Sequence, residues 1–253
     1  IDKLISENRV TIIKEEVDVY LELTHIAYIE VKKQNSKPLL FLNPVDKKRN
    51  KKFDMPVVAN LFANFDIVKD VVGDSDDIAK DITKLLKLKP PSGIMEKIFM
   101  AKDMFALRHV FPKRSKANAL CQHHIYQNDN IDLFNLPITT TWEQDASAFI
   151  TMGQVYTASI DGKTNNLGMY RLQVHNQNKL GLHFQLHKDS NHFVREYKKA
   201  GKKMPVSIAI GGDPLYTWCA TAPLPFGMFE LMLYGFIRKS SAKLVKCISN
   251  DLY

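Results

Sequence analysis

NLGMYRLQVHNQNKLGLHFQLHKD, residues 166–189, is the stretch whose reading decides the rest of the chain. Two β-rich runs, Gly168–Val174 and Leu180–Leu186, flank a turn built from Asn176, Gln177 and Asn178, which predicts a β-hairpin. The same residues carry an amide (Asn166), an arginine (Arg171), the histidines His183 and His187, and the pair Lys188-Asp189. Polar side chains this dense on paired strands are costly unless they meet water or a ligand. If the second run is a strand throughout, His183, Gln185 and His187 stand at i, i+2 and i+4 and share one face. One such histidine is commonly structural, but three polar groups on one face point to a ligand or a metal. Imidazole, amide oxygen and carboxylate together suit Mn²⁺ or Mg²⁺ better than a thiolate-seeking ion.

Two residues near this stretch are open to two readings. Arg171 could form a surface ion pair, or aim its planar fork at a carboxylate or phosphate. Glu230 lies within the apolar, helix-spaced run Phe226–Ile237. It is either a glutamate on the wet face of an amphipathic helix or a ligand.

Working outward, residues 116–253 read as strand-rich. Ala148–Ile160 and Pro205–Gly211 have strand patterns, and Gly211-Gly212-Asp213-Pro214 predicts a sharp turn. His192–Ala200 predicts a short helix closed by Gly201, and a helix opens within Leu215–Ala222. Residues 1–115 read as a small α+β unit. Val17–Val31, Leu39–Leu42 and Val57–Phe65 are its expected strands, the second ended by Asn43-Pro44. Asp76–Leu88 is its expected helix, stopped by Pro90-Pro91.

The 253 residues suffice for one large or two ordinary domains, and no apolar run reaches the length of a membrane span. The start, IDKLISENRV, lacks the layout of a signal peptide and an initiator methionine, so preceding residues are expected. Cys121, Cys219 and Cys247 lack CxxC spacing, which predicts buried structural thiols in a reducing cytoplasm. The net charge of +8 is spread over small clusters such as Lys47–Lys52 and Lys198–Lys203. With no RNP motif, helix-turn-helix or zinc finger, these read as solvated loops rather than a nucleic-acid footprint. Such a surface could still bring the protein to anionic lipid.

FITMGQVYT (149–157), NNLGMYRLQVH (165–175), GLHFQLHKD (181–189), PVSIAIGGDP (205–214), APLPFGMFE (222–230) and LVKCISNDLY (244–253) occur in this order, with PVVANLF at 56–62. Through these phrases the chain resembles the UbiD family of prenylated-flavin decarboxylases. The resemblance implies an α+β protein with an N-terminal α+β domain (residues 1–115) and a split β-barrel flavin-binding domain (residues 116–253). It implies prenylated FMN as cofactor, bridged to protein by Mn²⁺ (or Mg²⁺), with K⁺ as a further ion. Asn166, His187 and Glu230 match the metal ligands of the family. Met169, Tyr170, Arg171, His183, Phe184, Gln185, Lys188 and Asp189 match its cofactor-binding strips, and Arg171 also matches the arginine that faces the substrate carboxylate. Ser190 and Asn191 stand where the family commonly has glycine, and PFGM precedes Glu230 in place of a polar turn.

The acid-bearing loop of the family and its C-terminal α/β domain are not among these residues, so the resemblance names no general acid here. The implied function is non-oxidative decarboxylation of an aromatic or α,β-unsaturated carboxylic acid. A 4-hydroxy-3-polyprenylbenzoate or another aryl carboxylate of quinone biosynthesis is the expected substrate. A flavin prenyltransferase would supply the cofactor, and a cytoplasmic, membrane-peripheral homo-oligomer is the expected state. The alternative is a non-catalytic fragment that binds flavin and metal without turnover.

Overall fold

The computed structural model describes residues 1–74, 76–80, 107–116 and 119–253. They form an α+β structure of two compact units. The first comprises Ile1–Val71, Tyr126–Thr151 and Arg171–His183, the second Val72–Ile125, Met152–Tyr170 and Phe184–Tyr253.

In the first unit β1 (Thr11–Asp18) and β2 (Leu39–Asp46) are parallel neighbours joined through helix α2 (Glu22–Val31). β2 pairs antiparallel with β3 (Lys51–Lys52) and β4 (Val57–Ala59). Alternation along β2 sends its side chains into two layers. Leu39 and Phe41 pack with Val17, Leu23 and Ala27, while Leu40 packs with Leu4, Val10 and Ile67. Leu4 and Ile67 come from α1 (Asp2–Ser6) and α3 (Phe65–Val72). Burying each large side chain contributes roughly 2 kcal/mol.

Three expectations change here. Val17–Val31 is not one strand: β1 ends at Asp18, Leu21 takes a left-handed φ of 63°, and α2 follows. The buried residues Leu23, Ala27 and Glu30 have helical spacing, which outweighs the partial alternation. β2 does not stop at Asn43-Pro44. The register shifts between Ile13 and Glu16 of β1 just before Val17 pairs with Pro44, an irregularity that accommodates the missing proline N–H. β4 ends at Ala59 because Asn60 turns left-handed (φ 60°) and donates its Nδ2 to Ala27 O at 2.6 Å. Of the expected helix Asp76–Leu88, residues 76–80 are helical; the remainder and Pro90-Pro91 lie outside the described residues.

β6 (Phe149–Ala158) and β7 (Asn165–Asn176) run through both units. In the first unit β7 pairs with β8 (Lys179–Leu182), from Leu172↔Leu182 to Asn176↔Lys179. In the second, β6 pairs with β9 (Ser207–Ala209), and β5 (Lys113–Ser115) lies parallel to β10 (Lys243–Val245). Helices α4 (Asp189–Lys199), α5 (Pro214–Cys219) and α6 (Glu230–Arg238) complete this unit. Its core joins Leu167, Ala220, Leu231 and Ala242 with Tyr156, Met169, Tyr216 and Tyr234 around them. Asp213 ties α5 to α6: it accepts from Leu215 N, Tyr234 OH, and Arg238 Nε and Nη2 at 2.6–3.1 Å. Among the described residues the strands form open sheets, and no helix is long and apolar enough to cross a membrane.

The expected helix Phe226–Ile237 begins later, at Glu230. Pro225 and the left-handed Gly227 (φ 85°) keep the preceding residues out of it. The thiols are not uniformly buried: Cys219 is buried, Cys247 is half-buried, and Cys121 is exposed on a short 3₁₀ turn.

Among the described glycines of the second unit, Gly235 marks the closest approach. A Cβ there would lie 2.4 Å from His109 O and 2.6 Å from Val110 O, both backbone atoms that cannot rotate away. Gly235→Ala is therefore expected to destabilise the fold by about 3 kcal/mol. Chemical denaturation checks this; an unchanged midpoint would mean that α6 packs more loosely than described.

Candidate functional site

Among the described residues of the second unit, a buried polar cluster gathers on β6, β7, α4 and α6. Asn166 follows the first residue of β7 and is 6% exposed, while the next side chain, Leu167, enters the core. Asn166 Nδ2 donates to Ser190 Oγ at 3.0 Å. Ser190, in the first turn of α4, is fully buried and also hydrogen-bonds Thr157 Oγ1 of β6 at 3.0 Å. The Tyr170 hydroxyl lies near the same serine, and its ring meets Phe184 edge-on at 5.1 Å. Gly168 leaves room for that ring, since a Cβ there would lie 2.5 Å from Tyr170 Cε2.

Glu230 opens α6 and is 7% exposed, so the wet-face reading of this residue does not hold. Its Oε2 accepts the Leu167 N–H at 2.7 Å, which links α6 to β7. Burial pushes its carboxyl up to about 7, and the nearby Asp189 adds to the rise. The Leu167 and Glu230 backbone N–H groups and Lys188 pull the other way without cancelling it. A carboxylate held out of water with so little compensation favours a cation.

His183, Gln185 and His187 do not share a strand face. β8 stops at Leu182, where its pairing with β7 ends. The chain then turns: Lys188 N donates to Gln185 O at 3.1 Å, Asn191 Nδ2 donates to the same carbonyl, and α4 begins at Asp189. The backbone groups that a longer strand would pair are spent in this turn. His183, Gln185, His187 and Lys188 are all exposed. Among the described residues no group of three or more His, Cys, Asp and Glu is disposed to hold a metal. What the fold supplies is an amide and a carboxylate anchored one residue apart on β7: Asn166 through its own side chain and Glu230 through the Leu167 N–H. With the amide nitrogen committed to Ser190, the amide oxygen is left for a cation. An all-oxygen pair of this kind fits a hard divalent ion.

Arg171, in the first unit, takes the ion-pair role the sequence allowed. Its Nη2 donates to Asp145 Oδ2, and its guanidinium lies 3.7 Å from the Phe149 ring centroid. Trp142 N also donates to Asp145 Oδ2, at 3.2 Å. The hydrogen bond from Arg171, before any other influence, holds the Asp145 carboxyl below its ordinary value. The planar fork is thus oriented by an acid on one edge and a ring on one face. Sequence reasoning missed Thr157, Ser190, Asp145 and Phe149. The i, i+2 pattern of β6 and β7 marks Thr157 and Asn166 as strand positions, but no local signal pairs them with Ser190.

Two family patterns match the chain. The 3-octaprenyl-4-hydroxybenzoate carboxy-lyase Rift-related domain matches residues 113–253, and the N-terminal domain of the same carboxy-lyase matches residues 1–86. An uncharacterized protein of Helicobacter pylori J99 is 50% identical over 249 residues, which is 95% of this chain and 39% of that protein. One from Aquifex aeolicus VF5 is 35% identical, over 100% of this chain and 51% of its own length. The chain thus spans about half the length, or less, of these relatives. Among solved structures, the vanillic acid decarboxylase of Sedimentibacter hydroxybenzoicus shares the fold (TM-score 0.77, 21% identity, 99% of this chain and 50% of that one). So does an evolved dimeric form of the UbiD-class enzyme HmfF from Pelotomaculum thermopropionicum, solved with prFMN (TM-score 0.78, 21% identity, 99% and 52%).

Proposed function

The chain belongs to the UbiD family of 3-octaprenyl-4-hydroxybenzoate carboxy-lyases, and on that footing we propose that it forms the cofactor-binding part of a non-oxidative decarboxylase. Its substrate is an aromatic or α,β-unsaturated carboxylic acid, and its cofactor is prenylated FMN. The observation that carries this reading is the buried Glu230 carboxyl, which accepts the N–H of Leu167, the residue after Asn166, on the strand that leads directly into Arg171.

Asn166, Glu230 and His187 would hold Mn²⁺ or Mg²⁺, whose charge would offset that of the flavin phosphate, with K⁺ as a further ion. Met169, Tyr170, Arg171, His183, Phe184, Gln185, Lys188 and Asp189 would line the cofactor. Residues 116–253 then contribute to a split β-barrel, preceded by the α+β domain of residues 1–115. When bound, prenylated FMN supplies an acceptor for the electron pair left on carbon as CO₂ departs. Arg171, oriented by Asp145 and Phe149, grips the substrate carboxylate with its free edge and holds it for C–C cleavage. A 4-hydroxy-3-polyprenylbenzoate or an aryl carboxylate of menaquinone biosynthesis fits this chemistry. A cytoplasmic, membrane-peripheral homo-oligomer served by a flavin prenyltransferase fits the net charge of +8 and the family.

The experiment is a denaturing mass spectrum with metal analysis of the full-length protein, co-expressed with a flavin prenyltransferase. Prenylated FMN with near-stoichiometric manganese is expected; a full-length protein free of both would sink the reading. If the 253-residue chain binds both without turnover, it is a binding module whose chemistry needs more of the protein. The two histidines are separated by substitution. His187→Ala is expected to weaken Mn²⁺ binding about tenfold or more, and His183→Ala to leave it unchanged. The opposite pattern would exchange their roles.

A further inference from the structure

We propose that Ser190 and Thr157 are positioning residues that fix the amide of Asn166 with its oxygen turned toward the cation. The inference rests on the metal-holding role given to Asn166 and Glu230, and adds residues that nothing in the family resemblance assigns. Where that resemblance leads one to expect glycine, this chain has a serine, and the serine is completely buried.

An asparagine amide can present either its oxygen or its NH₂ to a cation, and only the oxygen binds one. The choice is made by the hydrogen bond on the other side, as it is for metal-bound carboxylates and imidazoles. Here that partner is Ser190 Oγ, which accepts from Asn166 Nδ2 at 3.0 Å. Ser190 has a single proton and two further oxygen neighbours, Thr157 Oγ1 at 3.0 Å and the Tyr170 hydroxyl. With the proton turned toward one of these, Oγ faces Asn166 as an acceptor, and the NH₂ orientation is selected. Thr157 is 1% exposed, which shields the relay from bulk water. Its three anchors stand on β6, β7 and α4, whose packing holds the spacing.

The test is Mn²⁺ titration of the purified protein, with free Mn²⁺ followed by electron paramagnetic resonance and thermal stability measured on the metal-free samples. Ser190→Ala is expected to raise the Mn²⁺ Kd about 10–100-fold, the range for partners of metal ligands. Thr157→Val, which keeps the shape and removes the hydroxyl, is expected to raise it about threefold or more. Thr217→Val is the control, because its buried hydroxyl serves Gln154 instead; its Kd should stay at the parent value. A purely structural serine would lower thermal stability and leave Kd alone, and that result overturns the proposal. Asn166→Ala and Glu230→Gln separate the two layers of the argument. If both raise Kd while Ser190→Ala and Thr157→Val do not, the relay is wrong and the metal site stands. If neither raises it, the metal site falls and the relay with it.

Discussion

Glu230→Gln is expected to weaken Mn²⁺ binding at least about hundredfold, or about 2.7 kcal/mol, while stabilising the metal-free protein at alkaline pH. The two effects have one cause. The Glu230 carboxyl is 7% exposed, and burial raises it from its ordinary 4.5 to about 7. An acid raised in the folded state contributes stability that is fully present below pH 4.5 and is lost as pH rises through about 7. Over that window the metal-free protein loses up to about 3 kcal/mol at this residue, because the folded chain must hold a charge that water would solvate better.

Glutamine keeps the shape and can still accept the Leu167 N–H through Oε1, but it carries no charge to desolvate. Metal-free parent and variant should therefore match near pH 4, and the variant should melt higher at pH 8. Added Mn²⁺ should reverse that order, since a divalent ion compensates the carboxylate and not the amide. Metal binding by the parent should also strengthen up to about pH 7, as the carboxyl loses its proton. Melting curves at both pH values, with and without Mn²⁺, check each statement. A variant that binds Mn²⁺ as the parent does would remove Glu230 from the site.

Arg171→Ala should leave cofactor and metal bound in the full-length protein and lower kcat/KM for any carboxylate it turns over at least about hundredfold. Nothing in the Asn166–Ser190–Thr157 relay depends on the guanidinium. What the substitution removes is the charged fork that Asp145 and Phe149 hold in one plane. Arg171→Lys should recover little of the loss. A lysine gives a point charge where stacking and a two-pronged grip are required. Steady-state rates on a panel of aryl carboxylates, together with flavin content by absorbance, separate loss of chemistry from loss of cofactor. Parent-like rates would end the carboxylate-gripping role, and lost flavin would mean that the cofactor contact of Arg171, rather than its grip on substrate, dominates its role.

The sequence by itself determined the α+β class, the β7–β8 hairpin around Gln177 and Asn178, and the presence of helices within His192–Ala200, Leu215–Ala222 and Phe226–Ile237, though not their starts at Asp189, Pro214 and Glu230. Each of these rests on short-range physics: turn residues that adopt left-handed φ, side chains that cap, and apolar spacing that repeats within a few residues. Its errors were also local. Val17–Val31 carries alternation and helical spacing at once, and only packing of Leu23 and Ala27 against Phe41 settles the choice. The segment from His183 to His187 has the composition of a strand, but β7 offers it no partner beyond Leu172↔Leu182. What only the tertiary structure decided is the environment of the polar groups. Glu230 reads equally as a surface or a buried residue until α6 is laid on β7 and Leu167 N–H meets its carboxylate. Ser190 becomes the hub of a relay only when β6, β7 and α4 bring Thr157 and Asn166 to it across 33 and 24 residues of chain. Desolvation and hydrogen-bond partners are set by neighbours distant in sequence, and local patterns do not encode them.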